Sequence, residues 1–138
     1  MFEHTADAGL VAWGPDPARA FAQATWGMFE IVLGDDPQAL PVPGEPETVE
    51  VEVHGQTWDD LLVNWLAELV FWFDVEDFVP RQIAFSECAP PRCAARLLGT
   101  RLDDPDEAGG VCIKAVTYHQ LSVNVAPGRT ELRVIFDI

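Results

Sequence analysis

The chain has 138 residues, of which 49% are hydrophobic and 22% charged, a composition typical of one folded domain. Its formal net charge is −15, from 23 acidic and 8 basic residues, which argues against broad contact with nucleic acid because such contact needs clustered Lys and Arg. No apolar run approaches the roughly 20 residues of a membrane span, and residues 1–7 do not resemble a secretory signal. We therefore expect a cytoplasmic protein with a single domain over residues 1–138.

The N-terminal segment, residues 4–9 (HTADAG), places an imidazole, a hydroxyl and a carboxylate just ahead of a predicted strand over residues 8–14. Such side chains usually hydrogen-bond their own backbone, although the carboxylate of Asp7 is also able to bind a ligand. A helix is predicted next, with Asp16 as N-cap, Pro17 in the first turn and Gly34 as C-cap. Apolar residues at spacings of three and four predict its buried face: Phe21, Ala24, Met28 and Ile31.

A Pro-rich acidic loop over residues 35–48 leads to a predicted strand in which valines at 49, 51 and 53 alternate with polar residues. The second helix is expected to begin after Gly55, because Thr57 and Asp60 resemble a capping box. Its apolar stripe is broad, which predicts burial along one side. Trp58 and Trp72 on this helix suit either the core or a partner surface, and the core is favoured.

Beyond Asp74 the hydrophobic pattern returns to period two. It predicts an antiparallel pair over residues 79–86 and 92–99, joined by a loop of residues 88–91. Further strands are predicted near residues 111–117, 120–126 and 131–137, with a Pro127-Gly128 turn between the last two. Two helices and about seven strands in the order β-α-β-α, followed by a run of strands, predict an α+β fold with the helices packed on a mainly antiparallel sheet.

The three cysteines are Cys88, Cys93 and Cys112. An odd number without CxxC spacing predicts free thiols in a reducing compartment. A zinc site at Cys88 and Cys93 would need further ligands that the sequence does not present at the usual spacings.

Lys114 is the only lysine, and it lies between two apolar residues in the predicted strand over residues 111–117. A buried ammonium there would need a carboxylate partner, because an unpaired charge is costly to desolvate. The alternative is an edge-strand lysine with its ammonium in water. Lys114, His119 and His4 are weaker site candidates, for which hydrogen bonding around a site is the simpler role.

The last residues alternate, so that Val134, Phe136 and Ile138 share one face of a strand and Asp137 lies on the other. Asp7, Asp137 and the carboxylate of Ile138 together offer three or more oxygen ligands for a hard cation such as calcium, magnesium or manganese. Grouped carboxylates repel one another without a cation. The sequence itself leaves open whether the two ends of the chain meet.

Four segments in the same order resemble the archease family: HTADAG at residues 4–9, WDDLLVNWLAELVF at 58–71, IKAVTYH at 113–119 and the final IFDI. Ala8 departs from the bulkier aliphatic residue that is common in the family. The resemblance implies a β-α-β-β core module with a helix-containing element inserted into it. It also implies a divalent metal ion, calcium in the family, bound by Asp7, Asp137 and Ile138.

The resemblance further implies an accessory protein rather than an enzyme. Its partner would be the GTP-dependent tRNA-splicing RNA ligase, whose guanylylation and multiple turnover it promotes, with no direct binding of nucleic acid and no membrane. One alternative is a chaperone-like modulator of a tRNA-modifying enzyme such as a tRNA methyltransferase. Another is a metal-dependent hydrolase with His4 or His119 as base, although the sequence has no nucleophile motif, Gly-rich phosphate loop or HExxH.

Overall fold

A computed structural model describes residues 7–38, 44–104 and 108–138, which contain two helices and six strands. The order of the elements confirms the predicted β-α-β-α pattern followed by strands. The elements are β1 (Asp7–Gly14), α1 (Pro17–Leu33), β2 (Glu47–His54), α2 (Trp58–Glu76), β3 (Phe78–Ala89), β4 (Arg92–Arg101), β5 (Ala115–Ala126) and β6 (Arg129–Asp137).

The six strands form two antiparallel three-stranded sheets, ordered β1-β6-β5 and β2-β4-β3, so the prediction of one sheet is wrong. Each sheet belongs to a β-α-β-β module. The first module is β1-α1-β5-β6, and the second, β2-α2-β3-β4, is inserted between α1 and β5. In both modules the last strand lies at the centre of the sheet, between the first strand and its own hairpin partner. The core module with an inserted helix-containing element is therefore confirmed.

The structure has six strands where about seven were predicted, because β5 alone replaces the two expected over residues 111–117 and 120–126. Its register with β6 shifts between Thr117 and Ser122, where Gln120 adopts a φ of 53°. This irregularity interrupts the period-two pattern and makes one strand look like two. Residues 111–114 form no strand: the Val111 N–H donates to the carbonyl oxygen of Ile31 in α1 over 3.0 Å, and the Lys114 N–H donates to that of Asp137 at the end of β6 over 2.8 Å.

The helix ends follow the local sequence signals. The Asp16 side chain accepts a hydrogen bond from the Arg19 N–H at 2.9 Å, and Gly34 ends α1 with a φ of 78°. At the start of α2 the Thr57 hydroxyl accepts from the Asp60 N–H at 3.1 Å. These predicted caps are confirmed. Neither of the two described helices is long and apolar enough to cross a membrane.

One core serves both modules, because each helix also contacts strands of the other sheet. Helix α1 packs on β1 and reaches β3, while α2 packs on β2 and reaches β5. Trp58 and Trp72 are half-buried against this core, with their rings 6.1 Å from Phe21 and 5.8 Å from Phe78. The expectation that these tryptophans pack in the core is confirmed.

A buried hydrogen-bond chain links the two helices within this core. The Trp65 indole N–H donates to the Thr25 hydroxyl at 3.0 Å, and that hydroxyl donates to the carbonyl oxygen of Phe21 at 2.8 Å. Thr25 and Trp65 are both fully buried. The Thr25 oxygen is therefore the acceptor that allows an indole N–H to lie inside the core.

We expect Thr25→Val to lower the free energy of unfolding by about 1–3 kcal/mol, because it leaves the buried indole N–H without an acceptor. Thr130→Val is the matched control, since Thr130 is equally buried but its hydroxyl has no hydrogen-bond partner among the described residues. That control should be as stable as the wild type or more stable. Urea denaturation measures both variants, and equal losses would show that the Thr25–Trp65 bond contributes nothing specific.

Candidate metal centre

The pairing of β1 with β6 brings the first and last described strands together and places Asp7 directly opposite Asp137. Residues opposite one another in an antiparallel pair point to the same face, with Cβ atoms about 4.5–5.5 Å apart. Both aspartates are exposed, whereas the neighbouring Phe136 and Val134 are fully buried on the other face. The two predicted carboxylates therefore lie side by side at one corner of the exposed face of this sheet.

Two carboxylates in directly opposed positions repel each other, and such like-charged pairs destabilise a sheet. Among the described residues, neither aspartate has a Lys, Arg or His within ion-pair distance. A cation bound between the two would remove this repulsion. Their oxygens are the ligand type that hard divalent ions prefer.

Ile138 follows Asp137 immediately, so its main-chain oxygens lie at the same corner. The donor set of two carboxylates and these main-chain oxygens fits a calcium, magnesium or manganese ion by its chemistry. Across the part of the chain that the structure describes, no three His, Cys, Asp or Glu side chains cluster so as to hold a metal. A metal at this corner would thus depend on the Ile138 main chain, on water or on residues outside the described ranges to complete its coordination.

On its other side Asp137 is paired with Ala115, which is exposed and has a small side chain. Lys114 comes just before β5, and its backbone N–H donates to the Asp137 carbonyl oxygen at 2.8 Å. The prediction that Lys114 lies within a strand is wrong. Its side chain is exposed and forms no ion pair with any described carboxylate, which agrees with the solvated alternative.

His119 is not brought to the two aspartates. It lies in the irregular part of β5 between Thr117, which pairs with Ile135, and Ser122, which pairs with Arg133, whereas the strand partner of Asp137 is Ala115. The neighbouring Tyr118 points instead towards α2, where its hydroxyl donates to the Asp60 carboxylate at 2.8 Å. This hydrogen bond, more than burial, raises the pKa of Tyr118. The weaker candidate His4 lies outside the described residues.

The inserted module has a basic side chain at the equivalent corner, where its first strand begins and its last strand ends. There Glu47 begins β2 and Arg101 ends β4, the strands that correspond to β1 and β6. The Arg101 guanidinium donates to the Glu47 carboxylate and, over 2.6 Å, to the Glu76 carboxylate, and these bonds raise its pKa. The acids at that corner are neutralised within the chain, whereas no described basic side chain forms an ion pair with Asp7 or Asp137, although the backbone of Lys114 lies next to Asp137.

Comparison with known proteins identifies the family of the chain. The sequence profile described as the Archease protein family (MTH1598/TM1083) matches residues 1–138. The chain belongs to the archease family. Archease of Methanosarcina mazei is 30% identical over 140 residues, covering 99% of this chain and 92% of that protein. Archease of Danio rerio is 30% identical over 139 residues, covering 99% and 82%.

Solved structures of similar proteins agree with the archease assignment. The solution structure of Methanobacterium thermoautotrophicum protein 1598 is 27% identical, with a TM-score of 0.66 over 99% of this chain and 96% of that one. The crystal structure of an archease from Thermotoga maritima, titled a possible chaperone, has a TM-score of 0.64 over 100% and 95%. At 19% identity the latter supports the fold alone. Archease family members are generally non-catalytic accessory proteins.

The opposed carboxylates predict a specific stability response. In the presence of a chelator, Asp137→Asn should leave the free energy of unfolding unchanged or raise it by up to about 1 kcal/mol, because one repelling charge is lost. Calcium at about 100 times its dissociation constant should stabilise the wild type by about 2.7 kcal/mol and this variant much less. Urea denaturation with and without calcium measures both effects.

Glu131→Gln is the matched control, because Glu131 is an exposed acid on the same face of β6 but lies opposite Trp13. This variant should keep the full calcium response. An equal calcium response in the Asp137→Asn protein would remove Asp137 from the site.

Proposed function

We propose that the protein is a metal-binding cofactor protein that activates a GTP-dependent tRNA-splicing RNA ligase by promoting guanylylation of the ligase and its multiple turnover. Membership of the archease family supports this role. The observation on which the proposal rests is the direct opposition of Asp7 and Asp137 at an exposed sheet corner. In this proposal the protein itself performs no chemistry on RNA.

Asp7, Asp137 and the main-chain oxygens of Ile138 would hold the divalent ion, which would supply neutralisation of phosphate charge during nucleotidyl transfer. The contribution of the chain is to fix the two carboxylates in one register. A rigid sheet corner suits this task better than a loop, because paired strands hold their side chains at defined separations.

The charge distribution supports docking on a basic enzyme. Helix α1 runs antiparallel beside β1, since a Cβ at Gly14 would meet the Ala20 backbone and one at Gly27 would meet Leu10. The acids that follow α1, Asp35 and Asp36, therefore lie towards the same end of the module as Asp7. Together with the net charge of −15, this acidic end suits a partner surface that has evolved to bind RNA phosphates, because complementary charge speeds association and fixes orientation.

The decisive experiment measures transfer of labelled GMP from GTP to the RNA ligase encoded in the same genome, together with the number of ligation turnovers. Wild-type protein should increase both. Asp7→Ala and Asp137→Ala should each reduce the stimulation at least tenfold, because each removes a proposed metal ligand. Glu131→Ala should retain full stimulation, and circular dichroism should show that all three variants fold.

Full stimulation by both aspartate variants would contradict the proposed metal site but not the accessory role. Absence of any stimulation by the wild type would contradict the accessory role itself. If the protein then raised the soluble yield or activity of a tRNA methyltransferase irrespective of Asp7 and Asp137, the chaperone-like alternative would replace it.

The contribution of Ile138 has a separate test. In a protein prepared to end at Ile138, a Gly-Ser extension after that residue removes the terminal charge, replaces one carboxylate oxygen by an amide nitrogen and leaves the other as an amide carbonyl oxygen. We expect calcium affinity, measured by calorimetry, to fall at least tenfold relative to the protein that ends at Ile138. The same extension at the N-terminus is the control for tag effects. Unchanged affinity would exclude the terminal carboxylate as a ligand and leave Asp7 and Asp137 in place.

A further inference from the structure

The β3–β4 hairpin contains two cysteines that the proposed function does not use. Its strands are joined by Pro90 and Pro91, and the turn closes at the pair formed by Ala89 and Arg92. The next pair along the ladder is Cys88 directly opposite Cys93. The predicted loop over residues 88–91 is wrong in its extent, because β3 continues to Ala89 and Cys88 is the strand partner of Cys93.

This cross-strand position has the backbone separation that a disulfide needs. Pairs along an antiparallel ladder alternate between hydrogen-bonded and non-hydrogen-bonded, and the pair that closes a two-residue turn is of the first kind. Cys88 and Cys93 are therefore the non-hydrogen-bonded pair, whose Cα atoms lie about 4.5 Å apart. Disulfides span Cα separations of roughly 4.4–6.8 Å, so the two sulfurs can be joined without a change in strand pairing.

The two thiols differ in exposure. Cys93 is fully buried, whereas Cys88 is half-buried at the rim of the core. Hydrogen bonding to the Cys88 sulfur, together with burial, raises the pKa of Cys93. Cys93 thus keeps its proton and is shielded from solvent, and Cys88 is the sulfur of the pair that a dissolved oxidant reaches first. The third cysteine, Cys112, is exposed and lies outside the sheets.

We infer that Cys88 and Cys93 form an oxidisable dithiol site, which a hydroperoxide converts into an intramolecular disulfide. The Cys88 thiol releases its proton and the thiolate attacks one peroxide oxygen, so that the O–O bond breaks and Cys88 becomes a sulfenic acid. The departing hydroxide or alkoxide takes up the released proton and leaves as water or alcohol. The Cys93 sulfur then attacks the Cys88 sulfur and expels hydroxide, which takes the Cys93 proton and leaves as water. The two thiols lose two electrons, and the hydroperoxide gains them.

The disulfide would fix the turn end of the inserted module and leave the proposed metal corner untouched. The carbonyl oxygen of Pro91 already accepts a hydrogen bond from the Gly55 N–H at 3.0 Å, so this turn is held against the chain that leads into α2. Asp7 and Asp137 belong to the other sheet. Oxidation should therefore leave calcium affinity unchanged, and this inference stands whether or not the proposed function is correct.

The test uses folded Cys112→Ser protein treated with hydrogen peroxide, so that only the paired thiols are present. Intact mass under non-reducing conditions should fall by two hydrogen atoms per chain, both titratable thiols should disappear, and dithiothreitol should restore them. The peroxide concentration used is the one that oxidises the exposed Cys112 of the wild-type protein.

Two further variants in the Cys112→Ser background separate the roles of the sulfurs. Cys88→Ser should keep its buried Cys93 thiol at the same peroxide dose, with no change in mass. Cys93→Ala should gain one oxygen at Cys88, which dimedone traps as the sulfenic acid. If the Cys112→Ser protein retains both thiols at that dose, or forms only disulfide-linked dimers, the inference is wrong. Cys88 is only half-buried, so the Cys88→Ser protein should fold. Together with the Cys112→Ser protein it tests the inference even if Cys93→Ala fails to fold.

Discussion

The register of β1 against β6 is the constraint on which the candidate site depends. A slip of one residue would turn every side chain to the opposite face, exposing Phe136 and Val134 and burying an aspartate. The hydrophobic core therefore enforces the position of two charges that it does not contact. Asp7 and Asp137 remain side by side despite their repulsion because burial of large apolar side chains, at about 1.5–3 kcal/mol each, exceeds the repulsion of an exposed pair.

The two β-α-β-β modules share one topology but differ in the charges at the corner where the first strand begins and the last strand ends. In the inserted module, Arg101 at the end of the central strand binds Glu47 from the first strand and Glu76 from the helix. In the outer module the equivalent strand ends in Asp137, opposite another acid. A corner that a guanidinium stabilises in one module thus has, in the other, two acids that form no ion pair with any described basic side chain. A binding site within a stable fold is expected to show such a local departure from favourable pairing.

Local signals predicted much of the fold. Asp16, Pro17 and Gly34 bounded α1 because caps act within one turn of the helix. The sequence did not predict the features that depend on contacts between residues distant in the chain. Residues 111–114 alternate like a strand, yet the segment that enters them is bound to carbonyl oxygens at the end of α1, through the N–H groups of Gly109 and Val111. The division into two sheets also escaped prediction, because the central strand of each sheet pairs with a strand distant in sequence.

The two chemical sites differ in how far the sequence predicts them. Asp7 and Asp137 are 130 residues apart, so no spacing rule joins them. The chemistry of their oxygens and the resemblance to a family suggested the pair, but only the strand register shows that the two residues lie opposite each other. Cys88 and Cys93 are close in sequence, and a two-residue turn at Pro90-Pro91 would have been enough to predict their opposition. The predicted loop was two residues too long: with Cys88 inside the loop, no strand residue is left opposite Cys93. A hairpin register can thus be derived from a short segment, whereas the pairing of two strands distant in sequence, such as β1 and β6, depends on the whole fold.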